Sequence, residues 1–192
     1  IQTIEPGGAV DYDDILGQVV YEAHEAVNHE AKHYEECQGM GATLSICWFT
    51  RTSIHIAHVG DSRIYLFASN RLRQITHDHT LVGQMQRRGE ITEMQARSHP
   101  KRSCLSQAIG AGARGIVPQV LSASHAPDDV ILICSDGLNE GLWDKNIAKK
   151  LQEFRTGDDA RLSATRDELL RDSLEAGGRD NVTLITAEIF QA

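Results

Sequence analysis

The stretch Val130-Ile131-Leu132-Ile133-Cys134-Ser135-Asp136-Gly137 decides the fold of this 192-residue chain. Its continuous apolar run predicts a strand that is buried on both faces. The run is followed by Asp136 and Gly137, a turn pair that places a carboxylate at the carboxyl end of the strand. Ligand sites in open sheets gather at such edges. The stretch therefore predicts both a central strand and a candidate functional position.

The segments on either side predict an α+β chain, because strands come in runs rather than alternating with helices. Polar or glycine-bearing turns between the strands are typical of antiparallel hairpins. No linker divides the chain, so we expect one domain over residues 1–192. Strands are predicted at residues 42–50, 53–59, 63–68, 105–109, 118–124, 130–134 and 182–190, helices at 15–36, 142–154 and 159–176, and a polar insertion at about 77–104.

The composition excludes several classes of protein. Lys and Arg number 19 and Asp and Glu number 27, for a net charge of −8, which argues against binding nucleic acid or anionic lipid through bulk charge. No apolar run approaches the roughly 18 residues of a membrane helix. The four cysteines, Cys37, Cys47, Cys104 and Cys134, form no C-x-x-C pair. They predict reduced thiols in a cytoplasmic protein.

Two further aspartates stand in turns beside predicted strands. Asp61 lies in a hairpin-type turn between two β-rich segments, and Asp180 lies on a glycine turn just before the last strand. Local Asx-turn hydrogen bonding accounts for any one of these aspartates alone. Carboxylates held on turns by apolar strands are also what Mg²⁺ or Mn²⁺ requires, and Asp136 completes a set of three.

The segment His29-Glu30-Ala31-Lys32-His33 fits the zinc-protease pattern H-E-x-x-H. The apolar stripe of the first predicted helix, which includes Ile15 and Val19, centres nearest Glu30 and leaves His29 pointing toward water. No third ligand follows at the metalloprotease spacing. We therefore expect a solvated helix face and keep a zinc metalloprotease as a remote alternative.

Five short motifs occur in a fixed order along the chain. They are Gly39-Met40-Gly41-Ala42-Thr43-Leu44, Ala57-His58-Val59-Gly60-Asp61-Ser62-Arg63, Thr76-His77-Asp78-His79-Thr80, Cys134-Ser135-Asp136-Gly137-Leu138 and Gly178-Arg179-Asp180-Asn181-Val182-Thr183. Each is weak alone, but together they resemble the successive motifs of the metal-dependent PP2C-type (PPM) serine/threonine protein phosphatases of bacterial type. The resemblance covers the chain from about Gly39 to Phe190.

The resemblance implies an antiparallel β-sandwich flanked by helices, in the layer order α-β-β-α, with metals at one end. It implies hydrolysis of phosphoserine or phosphothreonine by metal-activated water, using two or three Mn²⁺ or Mg²⁺ ions. By position, Asp136 and Asp180 correspond to ligands of the second metal and Asp61 to a ligand of a third, supported by Gly137 and Asn181. Residues 77–104 correspond to a mobile flap beside the active site. A phosphoprotein substrate and a cognate serine/threonine kinase are the implied partners.

The chain departs from the family pattern before Gly39. Family members open with an arginine, an Asn-Glu-Asp motif and an Asp-Gly pair followed by a histidine, and none of these motifs is present here. We therefore expect a phosphatase domain that is incomplete at its N-terminus, and we assign no catalytic residue within this chain. The absent motifs also leave open a pseudophosphatase, a binding module that keeps the fold with a degenerate metal centre.

Overall fold

The computed structural model of the protein describes residues 10–153, 159–177 and 180–190. Within these ranges, the helices are α1 (Tyr12–His33), α2 (Leu81–Arg87), α3 (Glu93–Ser98), α4 (Asp136–Gly141), α5 (Asp144–Gln152) and α6 (Asp159–Glu175). The strands are β1 (Gly41–Ala42), β2 (Leu44–Phe49), β3 (Ser53–Val59), β4 (Arg63–Ala68), β5 (Arg71–Gln74), β6 (Ile109–Gly110), β7 (Gln119–Ser124), β8 (Val130–Cys134) and β9 (Leu184–Glu188).

Two antiparallel sheets form the centre of the molecule. One has the strand order β2-β3-β7 and the other the order β5-β4-β8-β9, while β1 and β6 form a short separate pair. Ile54 and Ile56 of the first sheet pack with Ile64, Leu66 and Ile131 of the second. Because these side chains fill the space between the sheets, the two sheets form a β-sandwich.

Helices cover both outer faces of the sandwich. Leu16 and Val20 of α1 pack on Ala57 and Val59 of β3. On the other side, helices α4, α5 and α6 share a core with β4 and β8. The layer order is therefore α-β-β-α, which confirms the α+β fold class and the sandwich that the resemblance implied.

The central strand is buried as the sequence predicted. Val130, Ile131, Leu132 and Cys134 of β8 are each at most 2% exposed, and β8 pairs with β4 on one side and β9 on the other. Leucine and isoleucine side chains of this size contribute roughly 1.5–3 kcal/mol each when fully buried. This strand therefore accounts for a large part of the stability of the four-stranded sheet.

Several predicted elements are wrong in their bounds. The strand expected at 105–109 is reduced to β6. The helix expected from Leu142 begins at Asp144 as α5, because Leu142 and Trp143 have extended backbones, and α4 before it was not predicted. The expected end of that helix at Phe154 lies outside the described residues. Strand β5 was not predicted because Arg71-Leu72-Arg73-Gln74 is polar, as suits the edge of a sheet.

The buried face of α1 differs from the predicted one. Leu16, Val20, His24 and Asn28 are buried, whereas Val19 is 42% exposed. Part of the buried stripe is thus polar, which a pattern built on apolar residues alone does not find. His24 and Asn28 hydrogen-bond each other at 3.0 Å, so neither polar side chain is left unsatisfied.

Residues 77–104 contain two short helices, both capped by threonine. The Thr80 side chain accepts a hydrogen bond from the Gly83 N–H of α2, and Thr92 forms a capping box with Gln95 of α3. Among the cysteines, Cys134 is buried and Cys104 is exposed, and all four thiols are free. No helix within the described ranges has the length and apolar character needed to cross a membrane.

Candidate metal centre

Asp61, Asp136 and Asp180 come from segments that meet at one end of the four-stranded sheet. Cys134, the last residue of β8, pairs with Arg63 on β4 and with Leu184 on β9. The turn before β4, the start of α4 and the loop before β9 therefore lie side by side. Two strand pairings therefore bring together segments that are 44 to 119 residues apart in the sequence.

The three carboxylates influence one another electrostatically. Burial, and then repulsion from Asp136 and Asp78, raises the pKa of Asp61 to about 6. Burial, and then repulsion from Asp180 and Glu140, raises the pKa of Asp136. Both shifts come first from burial and second from neighbouring carboxylates, and a bound cation would stabilise the ionised forms. In the part of the chain that the structure describes, no three His, Cys, Asp or Glu side chains are grouped closely enough to hold one ion by themselves.

The Asp61 turn is shaped by Gly60. Gly60 has a φ of +115°, and a Cβ at this position would lie 2.3 Å from Cγ2 of Thr43. The Gly60 N–H donates to Nδ1 of His79, while the Gly60 carbonyl accepts from the backbone N–H of His79 at 2.7 Å and from Nε2 of His58 at 3.0 Å. Only glycine fits this position, and its peptide groups are fully hydrogen-bonded.

The Asp136 and Asp180 segments are joined through backbone contacts. A Cβ at Gly137 would lie 2.5 Å from the carbonyl oxygen of Asn181, so the start of α4 approaches the loop before β9 as closely as glycine permits. The Ser135 hydroxyl donates to that same carbonyl at 3.1 Å and accepts from the Thr183 N–H at 3.0 Å. One oxygen of Asp180 accepts the Asn181 N–H at 2.7 Å. Gly137 and Asn181 thus fix the spacing of the two aspartates.

A polar network behind the aspartates was not found from the sequence. Arg63 donates through Nε and Nη2 to the Asp78 carboxylate at 2.9 and 2.7 Å, and through Nη1 to the Tyr65 hydroxyl at 3.0 Å. That hydroxyl also lies 2.9 Å from Oδ1 of Asn139 and 3.0 Å from Oδ1 of Asp144. The available signal was a polar Arg63 at the head of an otherwise apolar strand. The network holds the Arg63 guanidinium in one position through charge-assisted hydrogen bonds to Asp78.

A cavity of about 410 Å³ opens beside the aspartates. Asp61, Asp136 and Arg63 line it from the sandwich, and residues of α2 and α3 line it from the other side. Asp180 is not among its lining residues and is exposed. The structure therefore brings Asp61 and Asp136 to one cavity and places Asp180 next to it.

The motif order, the sandwich and this cavity agree with a comparison to known families. The sequence profile of the family described as Protein phosphatase 2C matches residues 3–176. The chain belongs to the protein phosphatase 2C family. This membership confirms the resemblance that the five motifs carry.

Bacterial members of the protein phosphatase 2C family are similar to this chain. The serine/threonine protein phosphatase PstP of Mycobacterium tuberculosis is 32% identical over 185 residues, which cover 96% of this chain and 34% of PstP. The chain thus spans about a third of the length of this curated relative. The crystal structure of the serine/threonine phosphatase Stp1 from Staphylococcus aureus matches with a TM-score of 0.86 and 29% identity, covering 100% of this chain and 72% of that one.

A third comparison bears on metal binding in the protein phosphatase 2C family. The solved catalytic domain of serine threonine protein phosphatase PstP in complex with two manganese ions matches with a TM-score of 0.82 and 29% identity, covering 97% of this chain and 74% of that one. A protein of the same fold and family therefore binds divalent cations. The carboxylate-rich turns of the present phosphatase 2C chain have the donor chemistry for such ions.

Two arginines of α3 and the loop after it form one wall of the phosphatase 2C cavity. Arg97 donates through Nη2 to the Leu142 carbonyl at 2.6 Å, and its guanidinium lies 4.0 Å from the ring centroid of Trp143. Arg102 lies 3.5 Å from the Glu140 carboxylate. Residues of the 77–104 insertion therefore contact the α4–α5 corner across the cavity.

The histidines of the H-E-x-x-H match lie on the exposed surface of α1 and are not among the residues that line the cavity. His29 and His33 are solvent-exposed with ring centroids 4.0 Å apart, and Nδ1 of His33 hydrogen-bonds the His29 carbonyl at 2.8 Å. Glu30 is exposed as well, so the apolar stripe does not centre on it as expected. The expectation of a solvated helix face is confirmed, and nothing favours the zinc protease.

Proposed function

We propose that the protein containing this chain is a metal-dependent serine/threonine phosphatase that removes phosphate from phosphoserine and phosphothreonine in proteins. The observation that carries the proposal is the pair Asp61 and Asp136 on the wall of one cavity in a protein phosphatase 2C fold. The similarity to phosphatases named PstP and Stp1 supports the same reaction. No observation favours the pseudophosphatase or the zinc metalloprotease.

The proposed cofactor is Mn²⁺ or Mg²⁺, two ions or three, held in part by Asp136, Asp180 and Asp61. Carboxylate oxygens suit these hard cations. Burial first, and repulsion between neighbouring carboxylates second, raise the pKa values of Asp61 and Asp136, and a bound cation would offset both effects. Gly137 and Asn181 support the site by fixing how closely the start of α4 approaches the loop before β9. The donor set therefore fits the ions that the family uses.

The chain's own residues would contribute orientation and electrostatics. When bound, divalent ions would supply an activated water and offset charge on the phosphoryl oxygens. Asp61 and Asp136 provide the negative charge that attracts the cations. Arg63 is paired with Asp78 and hydrogen-bonded to Tyr65, so its guanidinium is held in one orientation on the cavity wall.

We further propose a cytoplasmic location, a phosphoprotein substrate and a cognate serine/threonine kinase that produces this substrate. The free cysteines support a reducing compartment. The reaction class supports the kinase, because a phosphatase for phosphoserine and phosphothreonine requires an enzyme that makes them. The net charge of −8 supports a partner other than nucleic acid.

The test is Mn²⁺-dependent phosphate release from a phosphothreonine peptide by the full-length protein. We expect Asp136→Asn to lower kcat/KM by about 100-fold while the unfolding midpoint is retained, because one charge that holds the cations is lost. Asp14→Asn, at an exposed aspartate in the first turn of α1, is the matched control and should keep wild-type turnover. Unchanged turnover in Asp136→Asn would refute the site, and a wild-type protein without turnover would refute the proposed enzyme.

A further inference from the structure

The peptide groups of Gly60 are hydrogen-bonded by two histidines. His79 contacts Gly60 through its backbone N–H, which donates to the Gly60 carbonyl at 2.7 Å, and through Nδ1, which lies 3.2 Å from the Gly60 nitrogen. His58 places Nε2 at 3.0 Å from the same carbonyl. The two rings lie 5.2 Å apart, and both residues are buried.

The hydrogen-bond partners determine which nitrogen of each ring carries the proton. A backbone N–H only donates, so Nδ1 of His79 must accept from Gly60. A backbone carbonyl only accepts, so Nε2 of His58 must donate to Gly60. Nδ1 of His58 then accepts from the Ser45 hydroxyl at 2.8 Å. Each histidine therefore uses a defined ring nitrogen with a defined role.

Gly60, whose peptide groups are held by these hydrogen bonds, immediately precedes Asp61. Gly60 has a φ of +115°. Because glycine adopts many other backbone conformations as easily, contacts to its peptide groups are needed to hold this one. Thr43 closes the space on one side of Gly60, with Cγ2 only 2.3 Å from where a Cβ would lie. Contacts to Gly60 therefore help to set the direction in which the chain enters Asp61.

We propose that His79 and His58 are positioning residues that hold the Gly60 peptide so that the Asp61 carboxylate faces the cavity and binds a divalent cation. This inference rests on the proposed metal-dependent function. Neither histidine touches the cation or the substrate. Each acts through one hydrogen bond to a backbone group of Gly60, His79 as an acceptor and His58 as a donor.

The test exploits the different reach of Asn and Gln. The Asn side-chain oxygen lies at the position of histidine Nδ1, whereas the Gln side-chain nitrogen lies at the position of Nε2. His79→Asn therefore keeps the acceptor for the Gly60 N–H and His79→Gln displaces it. At His58 the order is reversed, because His58→Gln keeps the donor to the Gly60 carbonyl and His58→Asn loses it.

The measurement is Mn²⁺ binding to the full-length protein, followed through the electron paramagnetic resonance signal of free Mn²⁺. We expect His79→Gln and His58→Asn to raise the dissociation constant of the weakest Mn²⁺ site by about 10-fold, as is typical for residues that orient metal ligands. His79→Asn and His58→Gln should stay within about twofold of wild type. His77→Ala, at an exposed histidine two residues from His79, is the matched control and should bind like wild type.

A space-filling role would give a different result. Gln is closer in volume to histidine than Asn is, so pure packing favours Gln over Asn at both positions. Equal weakening in both variants of His79, or Gln binding better than Asn there, would overturn the inference. If His79→Gln does not fold, the two His58 variants and the folded His79→Asn variant still decide the question. A 10-fold weakening of Mn²⁺ binding in His79→Asn would overturn the inference.

The binding measurement separates this inference from the proposed function. Wild-type protein that binds Mn²⁺ but releases no phosphate would refute the phosphatase activity, while the order of the variants would still decide the role of the histidines. Wild-type protein that binds no Mn²⁺ would overturn both proposals. In His79→Gln, the rate of phosphate release should differ from wild type less at saturating Mn²⁺ than at low Mn²⁺, because the lost hydrogen bond acts on cation affinity.

Discussion

Replacing Gly137 with alanine tests whether the close backbone approach at the start of α4 sets the geometry of the proposed metal centre. The new Cβ would lie 2.5 Å from the Asn181 carbonyl oxygen and 3.3 Å from Cγ2 of Val182. Ordinary contact begins at 3.4 Å, so the start of α4 and the loop before β9 must separate by about 0.9 Å. This movement stretches the Ser135 hydrogen bond to the Asn181 carbonyl and shifts Asp136 relative to Asp180.

The expected loss of stability follows from two opposing effects. Overpacking a close contact costs about 1–3 kcal/mol, and replacing glycine by alanine within a helix returns up to about 1 kcal/mol. We therefore expect Gly137→Ala to lower the free energy of unfolding by about 1–2 kcal/mol. For a chain of this size, that corresponds to a fall in Tm of about 2–8 °C.

The assay combines thermal unfolding with Mn²⁺ binding. Gly137→Ala should unfold at lower temperature than wild type and bind Mn²⁺ more weakly even where it is fully folded. Gly115→Ala is the matched control, because Gly115 has no neighbouring atom within 4 Å of an added Cβ and has no positive φ. A Gly137→Ala protein with the Tm and Mn²⁺ affinity of wild type would refute the argument that glycine sets the spacing of the two aspartates.

Two further predictions concern the charges around the centre. Burial and repulsion raise the pKa of Asp61 to about 6. Between about pH 4 and pH 6 the folded state therefore binds more protons at this group than the unfolded chain does. The free energy of unfolding falls as the pH rises through this range. In metal-free protein, Asp61→Asn should therefore raise the urea midpoint above wild type at pH 7 and match it near pH 4; equal midpoints at pH 7 would contradict this. Asp78→Asn should lower the free energy of unfolding by about 2 kcal/mol or more, since it removes the bidentate partner of the partly buried Arg63. Glu168→Gln should leave the midpoint nearly unchanged, because Lys150 lies at the edge of the molecule and keeps a second carboxylate partner, Asp172, at 3.1 Å. Similar losses in both variants would contradict the reasoning.

The sequence predicted the elements whose pattern comes from burial. Strands β3, β4 and β8 have the predicted bounds, because apolar residues on both sides of a sandwich give continuous runs. Strand β5 and the break at Leu142 and Trp143 were not predicted. The first is an edge strand of Arg, Leu and Gln, and the second is a break between two helices that contains no glycine or proline.

The candidate site could be predicted only in part for a similar reason. Asp61, Asp136 and Asp180 were found because each follows or precedes a strand within a recognisable motif. Their approach depends on strand pairing, which local pattern does not reveal. The roles of Arg63 and His79 arise from side chains that reach between distant segments, such as the bond from Arg63 to Asp78 and the bond from Gly60 to His79. No spacing rule along the chain encodes these contacts.

The position of Asp61 between the two sheets explains why the turn before it must be held so firmly. β3 belongs to the three-stranded sheet and β4 to the four-stranded sheet, so residues 60–62 carry the chain from one sheet to the other. Packed sheets lie about 10 Å apart, and the four residue steps from Val59 to Arg63 span at most about 13–14 Å when extended. The link therefore has little slack, and the distance from Asp61 to Asp136 depends on the packing between the sheets. The two histidines that hold the peptide of Gly60 connect the packed core to the residue directly before Asp61, so they restrict the direction in which the chain leaves Gly60.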